Sequence, residues 1–201
     1  MNNFWNERYS AHEYAFGTEP NVFFAGELRK LPRPGHILFP CEGEGRNAVY
    51  AAEQGWTVEA FDLSEMGKRK ALQWAQARGV ELSYHFADAL TEEYPAAMFD
   101  AIALIYAHFS AADRRLIHRK MVQWLKPGGT IILEAFHPDQ LGFSSGGPKD
   151  PTMLYTEALL AEDFEELHTD LLVSEHVTLE EGKYHQGPAA IVRYVGHKQI
   201  L

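Results

Sequence analysis

Ile37–Asn47 reads ILFPCEGEGRN, and the next apolar stretch, Thr57–Phe61 (TVEAF), ends in Asp62. Ile37, Leu38 and Phe39 form the short apolar run of a buried strand. Pro40 has no N–H for a ladder, so the strand should stop there or lie beside a gap in the pairing. Gly43 and Gly45 suit a tight turn. Asn47–Gln54 (NAVYAAEQ) reads as a helix start, with Ala48, Ala51 and Ala52 small enough to lie close on a sheet. Strand, glycine turn and helix N-terminus together offer free backbone N–H groups and about half a positive charge to an anionic ligand. Asp62 stands 17 positions after Gly45. At the tip of the second strand of a βαβ unit, its carboxylate can accept hydrogen bonds from both hydroxyls of a ribose.

The chain has 201 residues, a net charge of −10 and a hydrophobic fraction of 46%. That length predicts a single domain over residues 1–201 with a sizeable core. The acidic balance argues against nonspecific nucleic-acid binding, which needs Lys and Arg opposite phosphates. It is compatible with a cationic ligand. One cysteine excludes an intrachain disulfide framework and fits a reducing compartment. The start, MNNFWNERY, is not an apolar leader, and no run is long enough to span a bilayer. A cytoplasmic location without membrane contact is expected. No internal repeat is found, and no pattern speaks to the oligomeric state.

Residues 2–30 are rich in aromatics and suggest two short amphipathic helices flanking the Tyr14–Asn21 loop (YAFGTEPN). Phe4, Trp5 and Phe23 are expected to pack on the core. Ser64 should cap a helix over Glu65–Arg78 that ends at Gly79. Glu81–Ala87 reads as the third strand and Phe99–Ile105, continuously apolar, as a central parallel fourth. Ser110 should cap Ala111–Leu125, with Arg114, Arg115, Arg119 and Lys120 on a solvated outer face. Lys126–Gly129 (KPGG) predicts a sharp turn into the fifth strand, Thr130–Phe136. The glycine- and proline-rich stretch within residues 137–155 is longer than an ordinary connection and suggests a lid. Thr156–His168 is spaced for a helix. Leu171–Leu179 and Ala189–Val195 read as a terminal hairpin, with His185 in its connection as a solvated loop residue. Strands alternating with helices give an α/β fold, in which ligands bind outside the carboxyl ends of the strands.

GEGRNA at Gly43–Ala48, the acidic Asp62, FDAIALIYAHF at Phe99–Phe109 and LKPGG before an apolar strand together resemble the class I S-adenosylmethionine-dependent methyltransferases. The similarity covers residues 14–198. It is most marked to the small tellurite-resistance-type members, which carry related Gly-x-x-Pro-Asn and Gly-Gly-Pro stretches. The resemblance implies a Rossmann-like, seven-stranded, mostly parallel sheet with the last strand antiparallel and helices on both faces. It implies S-adenosylmethionine as cofactor, held by Glu42, Gly43, Gly45, Asn47, Asp62, Leu63, Asp88, Ala89, Ile105 and Tyr106. Asp88 reads equally as a helix or turn cap. Residues 1–32 would form a helical flap over the cofactor. Tyr14, His137 and Gly146 would meet a small-molecule substrate, a thiol or chalcogen oxyanion. Two departures stand out: Phe39 replaces the usual acidic residue and Cys41 the first glycine. Glu42 and Glu44 are then the carboxylates available for the methionine amino group.

Direct displacement of a methyl group asks the protein for proximity, alignment and exclusion of water. Where the acceptor must first lose a proton, His108 or His137 is the candidate catalytic base. No His-x-x-x-His or Cys pair at ligand spacing points to a metal. Two other readings remain open: a nicotinamide-dependent oxidoreductase, which lacks its third glycine here, and a cofactor-binding module without catalysis.

Overall fold

A computed structural model describes residues 2–200. Seven strands lie in the order β3-β2-β1-β4-β5-β7-β6. β1 (His36–Pro40) pairs in parallel with β2 (Thr57–Asp62), Phe39 opposite Ala60, and with β4 (Phe99–Ile105). β2 pairs with β3 (Ser83–Phe86), shorter than the stretch expected from the sequence. β5 (Leu125–Phe136) lies parallel to β4. β7 (His185–His197) is antiparallel to both β5 and β6 (His168–Glu181). The predicted Rossmann-like sheet, with its final strand reversed, is therefore present.

The fully buried parallel strands alternate between two apolar faces. Leu38, Ile102, Leu104, Ile131 and Leu133 face Ile117, Met121, Leu160 and Phe164 of α5 (Ala111–Trp124) and the segment begun by α6 (Glu157–Asp163). Ile37, Phe39, Ala101, Ala103 and Ile132 face Phe24 and Leu28 of α2 (Val22–Leu28), Ala48 and Ala51 of α3 (Arg46–Glu53), and Ala71 of α4 (Glu65–Arg78). Close helix–sheet approach requires small residues. A side-chain carbon added to Gly45, at φ +86°, would lie 2.5 Å from Ala71 Cβ.

The caps agree with the sequence: Ser64 Oγ accepts from Gly67 N–H and Ser110 Oγ from Asp113 N–H. Three local expectations are corrected. The KPGG turn is absorbed into β5 as an irregularity. Pairing passes from Phe99 opposite Leu125 to Ala101 opposite Thr130, and Lys126 Nζ donates to Asp100 at 2.7 Å. The terminal hairpin is several residues longer at its turn than expected, because polar residues up to Glu181 and from His185 still make ladder pairs. Arg114 and Lys120 are buried rather than solvated. Arg114 and His118 both donate to Asp163 of α6, at 2.6 and 2.8 Å, which ties α5 to α6.

Ahead of the sheet, α1 (Asn2–Arg8) and the following loop cross the start of α4. Asn6 Oδ1 accepts from Ser64 Oγ and Met66 N–H, and Lys70 Nζ donates to the carbonyls of Ala11 and Glu13. Among the described residues no helix is long and apolar enough to cross a membrane.

Candidate active site

The loop leaving β1 turns through three left-handed residues, Cys41 (φ +56°), Gly43 (+62°) and Gly45 (+86°). Only glycine adopts this conformation without cost, so Cys41 carries strain of about 1–3 kcal/mol. Glu42 reaches forward instead of outward. Its Oε1 accepts from the N–H groups of Asn47 (2.9 Å) and Ala48 (2.8 Å) in the first turn of α3. This corrects the expectation of an open anion site there, since the protein's own carboxylate fills the helix N-terminus. Burial pushes the Glu42 carboxyl up to about 7, against the lowering effect of those bonds.

Asp62 is 7% exposed at the tip of β2. One of its oxygens accepts from Gly43 N–H at 2.9 Å and the other from Ser64 N–H at 2.8 Å. Each oxygen keeps a lone pair, because a carboxylate offers about four acceptor positions. Burial raises this carboxyl to about 6. Asp88, beyond β3, accepts from Leu90 N–H at 2.9 Å through Oδ1, the turn geometry foreseen as its alternative. Burial, then the charges of Asp62 and Asp88, hold the Cys41 thiol well above its ordinary range. Ala89 is buried in the core, while Leu63 and Ile105 remain half-buried. Asn47 is committed elsewhere: its Oδ1 accepts from Asn21 N–H at 2.9 Å.

Tyr9 covers the loop. A Cβ on Gly43 would meet Tyr9 Oη at 2.6 Å, and Trp5 stacks on the Tyr9 ring with centroids 5.5 Å apart. Burial and then the charge of Asp62 raise the Tyr9 phenol. Glu44, the other candidate for an amino group, pairs with Lys70 and accepts from Ala15 N–H, which turns it toward the loop between α1 and α2.

A second cluster lies at the tips of β4 and β5. Tyr106 follows β4 at φ +55° and donates its hydroxyl to Glu134 at 2.8 Å. Glu134, 1% exposed within β5, also accepts from Asn21 Nδ2 (2.7 Å) and Arg193 Nε (2.6 Å). Asn21 Nδ2 bridges to Glu181, which in turn receives Arg46 Nη2 at 2.9 Å and His185 Nδ1 at 3.2 Å. Although burial opposes it, hydrogen bonding from His185 and the Arg46 charge hold Glu181 at about 2. Phe16, Tyr106 and Phe136 surround the His185 ring at 4.5, 4.5 and 5.3 Å. Gly146 touches its edge, since a Cβ there would fall 2.6 Å from His185 Cδ2.

The geometry turns both histidines proposed as bases away from that role. His108 Nδ1 meets Met153 O at 2.7 Å, and its Nε2 accepts from Phe136 N–H at 3.2 Å. Both nitrogens are used, and burial lowers the ring to about 4. His137 caps the 3-10 turn Pro138–Gly142 and faces Asp139 and Glu157. It lines a separate cavity of about 190 Å³ with Ser174 and His176. Tyr14 is likewise not brought to Gly146: its hydroxyl donates to Lys70 O, and its ring lies 6.1 Å from Trp74 on α4. Gly142–Gly146 (GFSSG) fits the letters of a nucleophile elbow. It lies in a loop, however, instead of the strand-to-helix turn that would present its central serine, Ser144. Among the described residues no group of three or more His, Cys, Asp or Glu side chains forms a metal site.

The sequence reading missed Tyr9, Asn21, Arg46, Glu134, Glu181 and His185 as parts of the site. Glu134 carried a signal, as the lone acid in the apolar run TIILEAF. The three backbone-bonded carboxylates Glu42, Asp62 and Asp88, beside a glycine loop whose close approach tolerates no Cβ, suit the amino group, diol and base of an adenosyl amino acid. This set of acceptors fits that cofactor.

Residues 37–129 match the family model described as a methyltransferase domain. Demethylmenaquinone methyltransferase of Thermus thermophilus is 30% identical over 57% of this chain and 52% of its own length. The tRNA 5-carboxymethoxyuridine methyltransferase of Escherichia coli is 30% identical over 51% of this chain and 40% of its own. Thiopurine S-methyltransferase of Legionella pneumophila is 25% identical over 68% and 71%. The chain thus spans about half or less of the first two relatives. A solved structure titled for conversion of a disulfide bond into a thioacetal group during echinomycin biosynthesis superposes with a TM-score of 0.77 at 16% identity, covering 99% of this chain and 92% of that one. TehB from Haemophilus influenzae gives 0.71 at 14% identity, covering 98% and 67%. These likenesses establish the fold.

Proposed function

We propose that this chain, which carries a class I S-adenosylmethionine-dependent methyltransferase domain, methylates a small-molecule acceptor, a thiol. One observation carries the reading: backbone N–H groups on and beside the glycine loop hold the carboxylates of Glu42 and Asp62 at the tips of β1 and β2, next to an enclosed aromatic cluster around Tyr106. The free lone pairs of Asp62 take the ribose hydroxyls, and Glu42 takes the amino group. Asp88 meets the adenine edge, with Leu63, Ala89 and Ile105 as walls. Bound S-adenosylmethionine supplies a methyl group on a cationic sulfur, open to in-line displacement. Tyr106 forms the floor under the acceptor, its hydroxyl fixed by Glu134. Residues 1–32 act as a flap, and residues 137–155 act as a lid that excludes water.

A small acceptor is supported by this enclosure and by the charge of −10, which disfavours a nucleic-acid partner. The similarity to a thiopurine S-methyltransferase supports sulfur as the atom methylated. GEGRNA and the Gly-Gly-Pro stretch, with TehB among the structural neighbours, support kinship to the tellurite-resistance-type branch. The single cysteine supports a reducing, cytoplasmic setting. Calorimetric titration with S-adenosylhomocysteine and NADH, followed by a methyl-release assay over thiols, amines, phenols and tellurite, tests the reading. Binding of the adenosyl amino acid with thiol turnover is expected. Preference for NADH points to an oxidoreductase, and binding without turnover of any acceptor to a module without catalysis.

A further inference from the structure

We infer that His185, oriented by Glu181 and Arg46, is the general base that takes the proton from a thiol acceptor; this rests on the methyltransferase reading above.

The Glu181 carboxylate can only accept, so the nitrogen facing it, Nδ1, carries the proton. Nε2 is then the basic nitrogen, and it has no hydrogen-bond partner among the described residues. Around the ring lie Gly146, where an added Cβ would fall 3.0 Å from Nε2, and the rings of Phe16, Tyr106 and Phe136. A pair of carboxylate and imidazole with its outer nitrogen free, in an aromatic enclosure, is the arrangement of a base held ready by its partner. Arg46 follows Gly45 directly, so the cofactor loop and the base are joined through one guanidinium. The charged and titratable groups facing His185 are Glu181, Arg46 and Glu134, with the Tyr106 hydroxyl and His108 nearby. Burial lowers the imidazole against the pull of Glu181, leaving it neutral at pH 7.

In the step, the thiol proton moves to Nε2 and the sulfur lone pair forms the new bond to the methyl carbon. The old carbon–sulfur bond breaks with its electrons staying on the leaving sulfur, which becomes a neutral thioether. The imidazolium, paired with Glu181, later returns its proton to water. An acceptor that arrives already ionised gains nothing from this base. The substrate class is therefore a neutral thiol instead of a chalcogen oxyanion.

The test compares 2-mercaptoethanol, protonated at neutral pH, with 4-nitrothiophenol, already a thiolate, as acceptors in the full-length protein. His185→Gln is expected to lower turnover of the first by about 100-fold or more and to leave the second within a few-fold. Its affinity for S-adenosylhomocysteine should match the wild type, which also reports folding. Glu181→Gln should move the acid limb of the 2-mercaptoethanol pH profile to lower pH, because the imidazolium loses its partner. Nitrogen-15 spectra of labelled histidine should show His185 protonated at Nδ1 and bare at Nε2. Equal losses with both thiols, no loss with either, or the opposite tautomer overturns the proposal. So does a wild type that binds S-adenosylhomocysteine yet methylates neither thiol. Failure to bind S-adenosylhomocysteine at all overturns the underlying methyltransferase reading instead.

Discussion

Gly45 is bounded twice over, by a left-handed backbone and by Ala71 at the distance where a Cβ would stand. Gly45→Ala should lower stability by about 1–3 kcal/mol from backbone strain alone, read by urea denaturation, and should loosen cofactor binding with it. His108 belongs to a different class of buried residue. Replacing it with Leu leaves Phe136 N–H and Met153 O without partners, at about 1–3 kcal/mol each. The pH profile of turnover should not move, whereas a profile that lost its acid limb would restore His108 as the base. Asp62 and the two loop glycines were legible in the sequence because spacing within one βαβ unit fixes them. His185 and Glu181 were not. They lie 139 and 135 positions after Arg46, and only sheet pairing brings them beside it.

At the level of elements, the helix spans read from caps matched closely where a capping side chain and a glycine stop coincide, as in α4. Prediction weakened where tertiary contact decided. The acidic stretch after Thr156 has helical spacing to His168, yet α6 ends at Asp163 because that carboxylate is drawn to Arg114 and His118. The Arg114 cation, buried beneath α6, could not be told from a solvated face by periodicity alone. Asp163→Asn should therefore cost about 3–5 kcal/mol, the usual penalty for leaving a buried charge unpaired. Chemical denaturation would show it, and a cost below about 1 kcal/mol would mean that the pair is in effect a surface contact.

Over the whole molecule, the strand order gathers two clusters: Glu42, Asp62 and Asp88 stand at or just beyond the ends of β1, β2 and β3, while Tyr106 after β4 meets Glu134 of β5 and His185 of β7. The carboxylates leave a pH signature. Burial lifts Glu42 to about 7 and Asp62 to about 6 in the folded state, while both titrate near about 4 when unfolded. The folded chain thus holds more protons between about pH 4 and 7, and these groups make stability fall as pH rises through that window. Glu181, held at about 2, acts oppositely: its contribution is complete above about pH 4.5 and fades as pH falls toward its folded value. His108, lowered to about 4, also opposes Glu42 and Asp62 and gains stability as pH rises toward about 6.5. The carboxylate share is therefore read by difference: Glu42→Gln should lose less Tm than the wild type between about pH 5 and 7, by differential scanning calorimetry. S-adenosylhomocysteine should flatten that loss, because its ammonium group favours ionised Glu42. The most direct measurement is calorimetric titration of the wild type and Asp62→Ala with S-adenosylhomocysteine at neutral pH. The account predicts one site per chain in the wild type and affinity weakened by at least tenfold, about 1.4 kcal/mol, in the variant. Equal affinity in both, or no heat from the wild type, would contradict it.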